Sequence, residues 1–240
     1  MTITEYPQGD FFGGHLDYIT FTPKVKSSKV LVFHPGTQEM GVGDGSQLYE
    51  LYKYGYPKLA KAGYEFPFNI VAIQPNTSYS SVSKCLLPWI QMEFKPSAII
   101  PIGISLGAIS CCDLLAKDRY GLITGVVSLS GKGNPLSVPN MRAVPGYAYH
   151  GDQDTTVSYS EALKFYNTYN SYFSGKGGFK LNIAAGVGHS GWDNVMSVTS
   201  GQDDLLQWII QQFGSEPVGT TYEDGYNDAK SKILDFTKSL

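Results

Sequence analysis

Ser105 is the residue in this chain best placed to act as a nucleophile. It sits in Gly103-Ile104-Ser105-Leu106-Gly107, between the apolar run Ala98-Ile99-Ile100-Pro101-Ile102 and a helix-like segment from Ala108 to Lys117. Apolar strand, G-x-S-x-G and helix in that order describe a sharp strand-to-helix turn that lifts a serine hydroxyl out of the chain. Such a turn is strained, and glycines two positions either side remove Cβ atoms that would strike the neighbouring strand and helix. With 27 glycines in 240 residues, the pentapeptide alone carries little weight.

A serine hydroxyl needs a base, and the base needs an acceptor to hold its tautomer. The four histidines are His15, His34, His150 and His189. His189 lies in the glycine-rich turn Gly186-Val-Gly188-His189-Ser-Gly-Trp192, and two acids occur in His150-Gly-Asp152-Gln-Asp154-Thr-Thr-Val157. Both turns follow predicted strands, at Lys180–Ala184 and Gly146–Tyr149 respectively. The order serine, acid, histidine is therefore carried by three successive strand ends.

The elements needed to present those ends are legible along the chain. Strands are predicted at 15–22, 29–33, 69–73, 99–104, 125–130, 146–149 and 180–184, with helices at about 47–62, 82–92, 108–117, 159–172 and 203–213. The run Lys29-Val-Leu-Val-Phe33 is apolar enough to be buried on both faces. Short apolar strands alternating with helices imply an α/β fold, a mostly parallel sheet with helices on both faces. In such sheets ligands bind beyond the carboxyl ends of the strands.

Four segments carry a family resemblance. Phe33-His34-Pro35-Gly36-Thr37-Gln38 resembles the HG-x-T-Q-like turn of polyhydroxybutyrate-depolymerase and feruloyl-esterase-like proteins. Gly103–Gly107 matches the elbow of the α/β-hydrolases. His150–Val157 resembles the HG-x-x-D-x-x-V turn of carboxylesterase/lysophospholipase-like families, and Gly188-His189-Ser-Gly-Trp192 resembles their GH-x-x-W turn. The chain thus resembles an α/β-hydrolase serine esterase from about residue 15 to 213. The resemblance implies Ser105 as nucleophile, His189 as base and Asp154 as the acid, with Asp152 bracing its turn. It implies oxyanion donors from the amide of Leu106 and from Gly36, with Thr37 the alternative, since Pro35 has no N–H to give. His34 and His150 occupy positions where the families carry loop-bracing histidines. Trp192 is a candidate for the substrate pocket, or else a tryptophan packed under its loop, and the Leu205–Trp208 stripe reads as core.

The implied reaction is hydrolysis of a carboxylic ester through an acyl-enzyme, needing neither cofactor nor metal. About a dozen residues separate Ser130 from the next strand, expected to begin near Arg142, too few for a cap domain. An open site bounded by loops 37–46, 77–83, 131–141 and 189–200 follows, suited to esters on bulky, carbohydrate-linked or aromatic groups. A catalytically silent binding or structural module, and a serine peptidase, are the alternative readings.

Composition narrows the partners. Charged residues make up 16% of the chain against roughly 25% in ordinary soluble domains, and 17 tyrosines fill much of the gap. A net charge of −3 and only two arginines, Arg119 and Arg142, argue against a nucleic-acid partner. No apolar run of membrane-spanning length occurs. The segment Met1–Pro7 has no basic start and apolar run, so the cytoplasm is the default location, with a virion-associated or leaderless extracellular site as alternatives. Cys85, Cys111 and Cys112 lack metal-ligand spacing and are expected as reduced, buried thiols. Residues 1–213 are read as the hydrolase domain, 214–221 as a linker and 222–240 as a helical tail. The tail contains Tyr222-Glu-Asp-Gly-Tyr226, which resembles short segments of phage structural proteins, and its expected role is docking or oligomerisation.

Overall fold

A computed structural model describes residues 1–214 except 13, 77, 120 and 200–202, and, within those, not the side chains of Ser80 and Ser81. The linker and helical tail expected over 214–240 lie, apart from Gly214, outside the described residues.

Eight strands form one sheet: β1 (Thr2–Phe11), β2 (Gly14–Thr22), β3 (Lys29–His34), β4 (Asn69–Gln74), β5 (Ala98–Ile104), β6 (Val126–Leu129), β7 (Gly146–Gly151) and β8 (Phe179–Ala184). Their spatial order is β1-β2-β4-β3-β5-β6-β7-β8. β1 and β2 run antiparallel to their neighbours, and all the other pairings are parallel. Strand order therefore reverses at β3: β4 is laid to one side of it and β5 to the other. The helices that follow successive strands diverge there, opening a crevice at the carboxyl ends of β3 and β5.

Helices α1 (Gly55–Lys61) and α7 (Asp204–Phe213), with the single turn α6 (Trp192–Val195), cover one face, while α3 (Leu86–Phe94), α4 (Leu106–Lys117) and α5 (Tyr159–Tyr172) cover the other. Alternation along β3 shows the division, with Val30 and Val32 packing to the α4 side and Leu31 and Phe33 to the α7 side. All seven residues of β5 are buried. On α7 the buried face is Leu205, Leu206, Ile209 and Phe213, with Trp208 half-buried edge-on to Tyr147.

Several boundaries differ from those read in the sequence. β1 was not expected: most of its residues are exposed and it contains Pro7 and Gly9, so it shows no apolar alternation, yet it pairs with β2 over most of its length. The helix expected over 47–62 is a 3-10 turn at Leu48–Tyr52 followed by α1, because Pro57 in the first turn of α1 cannot sit in the interior of a continuous helix. Pro88 acts the same way on the segment 82–92, which divides into α2 (Tyr79–Ser83) and α3. α4 begins two residues earlier than expected, directly after Ser105. Between β6 and β7 the chain makes one 3-10 turn, Pro135–Asn140, and no inserted domain. Cys111 and Cys112 are buried and Cys85 is half-buried, all three free.

Candidate active site

Ser105 joins β5 to α4 with φ 54 and ψ −119, a conformation a side chain adopts only under constraint. The constraint is close packing. A Cβ on Gly103 would lie 2.5 Å from the Ala108 nitrogen, and one on Gly107 would lie 2.6 Å from the carbonyl carbon of His34. Gly103 thus lets α4 fold back tightly on β5, and Gly107 lets the elbow press against the end of β3. The Ser105 amide is spent on the Leu129 carbonyl at 2.9 Å. The Leu106 amide opens α4, among the first-turn donors that have no intrahelical acceptor.

His189 arrives from the loop after β8. Its Nε2 is 2.8 Å from Ser105 Oγ and its Nδ1 is 2.7 Å from Asp154 Oδ2. A carboxylate can only accept, so Nδ1 carries the proton and Nε2 is left to accept the serine hydroxyl. Burial pushes the Asp154 carboxyl up, but the His189 and Val157 hydrogen bonds and the two nearby imidazoles more than offset this, leaving it below the usual range. Its Oδ1 accepts the Thr156 and Val157 amides, both at 2.9 Å. His150 Nε2 donates to the Val157 carbonyl at 2.9 Å and lies 3.2 Å from Asp154 Oδ2. His150 therefore braces the acid as well as the loop. Asp152 instead accepts the Gly186 amide at 2.8 Å, tying the turn after β7 to the turn after β8. Gly151 lets those turns touch, since a Cβ there would lie 2.7 Å from the Val187 carbonyl carbon.

Gly36 follows β3 and faces the elbow. The nearest atoms to a Cβ at Gly36 are a Glu39 carboxylate oxygen at 2.9 Å and Ser105 Cβ at 3.7 Å. His34 is fully buried with neither ring nitrogen hydrogen-bonded, stacks on Tyr79, and is pushed down to about 3 by that burial. The Tyr79 hydroxyl donates to the Pro35 carbonyl at 2.7 Å, so ring packing and one hydrogen bond hold the segment before Gly36.

Ser105 and His189 open into a cleft of about 600 Å³ bounded by Gly36–Glu39 and Ser190–Asn194. Tyr54 and Thr156 complete it, whereas the described residues of the expected loops 77–83 and 131–141 do not line it. Trp192 does, edge-on to His189 at 5.2 Å and to Tyr54 at 5.9 Å, with its Nε1 donating to Ser130 Oγ at 2.9 Å. Glu39, Tyr54 and Ser130 were not found by sequence reasoning. No local motif marks them, and Ser130 shows itself only through a positive φ of 53. Among the described residues no group of His, Cys, Asp and Glu is arranged to hold a metal ion, and no helix is long and apolar enough to cross a membrane.

No protein-family model matches the chain, and no curated protein matches it. Solved structures do. A truncated carbohydrate esterase from gut microbiota superposes with TM-score 0.63 at 14% identity, over 90% of this chain and 97% of that one. Est1E from Butyrivibrio proteoclasticus gives 0.61 at 14%, over 89% and 99%. The fold is that of the α/β-hydrolases. An acylaminoacyl peptidase from Pyrococcus horikoshii shares it at TM-score 0.57 and 13% identity, over 93% of this chain and 43% of that one. An α/β-hydrolase fold thus serves both ester and peptide chemistry, and the activity of this one has to be argued from its site.

Proposed function

We propose that the protein is a serine hydrolase of carboxylic esters. The observation that carries this reading is the hydrogen-bonded series Ser105 Oγ, His189, Asp154, with spacings of 2.8 and 2.7 Å, at the crevice where strand order reverses. In the proposed reaction Ser105 Oγ attacks the ester carbonyl as His189 Nε2 takes its proton, while Asp154 stabilises the imidazolium. The carbonyl oxygen becomes an oxyanion held by the amide of Leu106 and by that of Gly36, which must turn from the Glu39 carboxylate to do so, or by that of Thr37 in its place, each such donor worth about 3–4 kcal/mol. His189 then protonates the departing alcohol, and a water activated by the same imidazole cleaves the acyl-enzyme. Every proton moves between groups already in contact, so the scheme calls on no cofactor.

A fluorophosphonate probe followed by peptide mapping tests the assignment. The expected adduct is on Ser105, and Ser105→Ala should abolish both labelling and turnover of 4-nitrophenyl acetate with unfolding behaviour unchanged. An adduct elsewhere, or turnover that survives Ser105→Ala, would sink the proposal. An inert wild-type protein would favour a binding role for the fold.

A further inference from the structure

The cleft around Ser105 is unevenly charged. Two acids, Glu39 and Asp193, line it, and no lysine or arginine does among the described residues. Asp193 is neutralised by an ion pair with Lys58 and by the Gly55 amide at 3.1 Å. Among the described residues Glu39 has no such partner on its carboxylate. The nearest ammonium, Lys53, pairs with Glu50 instead. Burial pushes the Glu39 carboxyl up, and its own amide, the Gly36 amide and the Lys53 charge only partly offset that, with Glu50 adding to the rise. The residue is 6% exposed, and its turn is fixed from behind by Gln74 Nε2 donating to the Glu39 carbonyl at 2.9 Å. A carboxylate has about four acceptor positions. No side chain among the described residues donates to the Glu39 carboxylate, which leaves room for hydrogen-bond donors from a ligand.

The rest of the lining agrees with a ligand that is polar and uncharged. Trp192 and Tyr54 stand perpendicular to one another and offer aromatic surface, beside the side chains of Gln38, Thr156 and Asn194. Among the described residues only Ile104 adds aliphatic lining, and these offer a long acyl chain no apolar channel. An anionic substrate would lose water with no cation to replace it.

Resting on the esterase reading above, we infer that the substrate is a short-chain acyl ester of an uncharged, polyhydroxylated ring, and that Glu39 is a specificity-determining residue. The ring packs against the Trp192–Tyr54 corner, and Glu39 accepts a hydroxyl next to the scissile ester. The same carboxylate repels esters that carry a phosphate or carboxylate close to the bond.

The test is a matched set of acetyl esters: 4-nitrophenyl acetate, an O-acetyl methyl glucoside, the corresponding methyl glucuronoside and the corresponding 2-amino-2-deoxy glucoside. The wild-type protein should prefer the glucoside over the glucuronoside by about tenfold in kcat/KM (1.4 kcal/mol). The ammonium-bearing analogue should be cleaved no more slowly than the glucoside. Glu39→Gln should shrink the glucoside-to-glucuronoside ratio to about threefold or less and lower the ratio of glucoside to 4-nitrophenyl acetate. Equal wild-type turnover of glucoside and glucuronoside overturns the inference. So does slower cleavage of the amino sugar, a measurement that needs no variant, and so does an unchanged ratio in Glu39→Gln. Ser105-dependent turnover of 4-nitrophenyl acetate without the sugar preference defeats this inference alone. No Ser105-dependent turnover of any ester defeats the esterase reading and this inference with it.

Discussion

Gly107→Ala should damage turnover far more than stability. A Cβ at residue 107 would come to 2.6 Å from the His34 carbonyl carbon. Ordinary carbon–carbon contacts begin near 3.5 Å, so the His34–Pro35 backbone must retreat by about 1 Å. That backbone leads directly into Gly36, and rigid β3 behind it limits how the strain can spread. Overpacking typically costs about 1–3 kcal/mol, while alanine is favoured over glycine in a helix by about 1 kcal/mol, so a net loss of about 0–2 kcal/mol is expected. A displacement near 1 Å in a group that positions reacting atoms costs about 10²-fold in rate, and loss of an oxyanion donor about 10²–10³-fold. The expected result is a 10²–10³-fold fall in kcat on 4-nitrophenyl acetate with KM little changed, because the contact operates mainly in the transition state. Steady-state kinetics and urea unfolding on the same preparation measure both quantities. A variant within threefold of wild-type kcat would show that the end of β3 does not position the oxyanion, and the argument would fail.

Two further outcomes follow from the buried groups. Asp154→Asn puts an amide N–H₂ or a neutral oxygen opposite the His189 Nδ1–H donor, with the His150 ring 3.2 Å away. The His189 tautomer is no longer held, and kcat should fall by about 10⁴-fold. Because the Asp154 carboxyl sits below its usual range, its contribution to stability is present above about pH 4. It disappears as pH falls through the lower folded value, and in the asparagine variant that acid-side loss should be absent from urea titrations. His34, pushed down to about 3 by burial, has the opposite charge type and the same direction of effect. Below about pH 6.5 the unfolded chain takes up a proton that the folded protein refuses. Wild-type stability should therefore decline by up to about 1.4 kcal/mol per pH unit from there toward pH 3. His34→Phe leaves no hydrogen bond broken, since neither ring nitrogen is bonded. Urea unfolding between pH 4 and 7 should show a slope flatter by one proton in that variant, and an equal slope would mean that His34 is not the group responsible.

Much of the sheet was visible in the chain because buried parallel strands advertise themselves as short apolar runs. Lys29–Phe33 and Asn69–Ile73 were found within a residue of their ends. β1 escaped because an exposed edge strand carries no such signature. The helix breaks at 53–54 and 84–85 depended on two prolines, Pro57 and Pro88, whose effect on helix starts the apolar pattern did not reveal. His150 was read as a brace for its loop, and its approach to Asp154, four residues on, depends on how the turn after β7 folds, which the residue types do not record.

What the sequence alone determined was the chemistry available. A serine between two glycines, an acid in the turn His150–Val157 and a histidine in the turn Gly188–Trp192 are local facts, set by backbone sterics and by where apolar runs stop. What only the tertiary structure decided was which groups surround that chemistry. Ser105 and His189 are 84 residues apart and meet at 2.8 Å, Glu39 and Tyr54 reach the same cleft from two further segments, and Ser130 holds the indole N–H of Trp192. Those meetings follow from strand order, with β3 between β4 and β5 and the later strands stacked beyond β5. Strand order is settled by packing the whole sheet against two layers of helices, a balance of long-range burial that no short stretch of residues records.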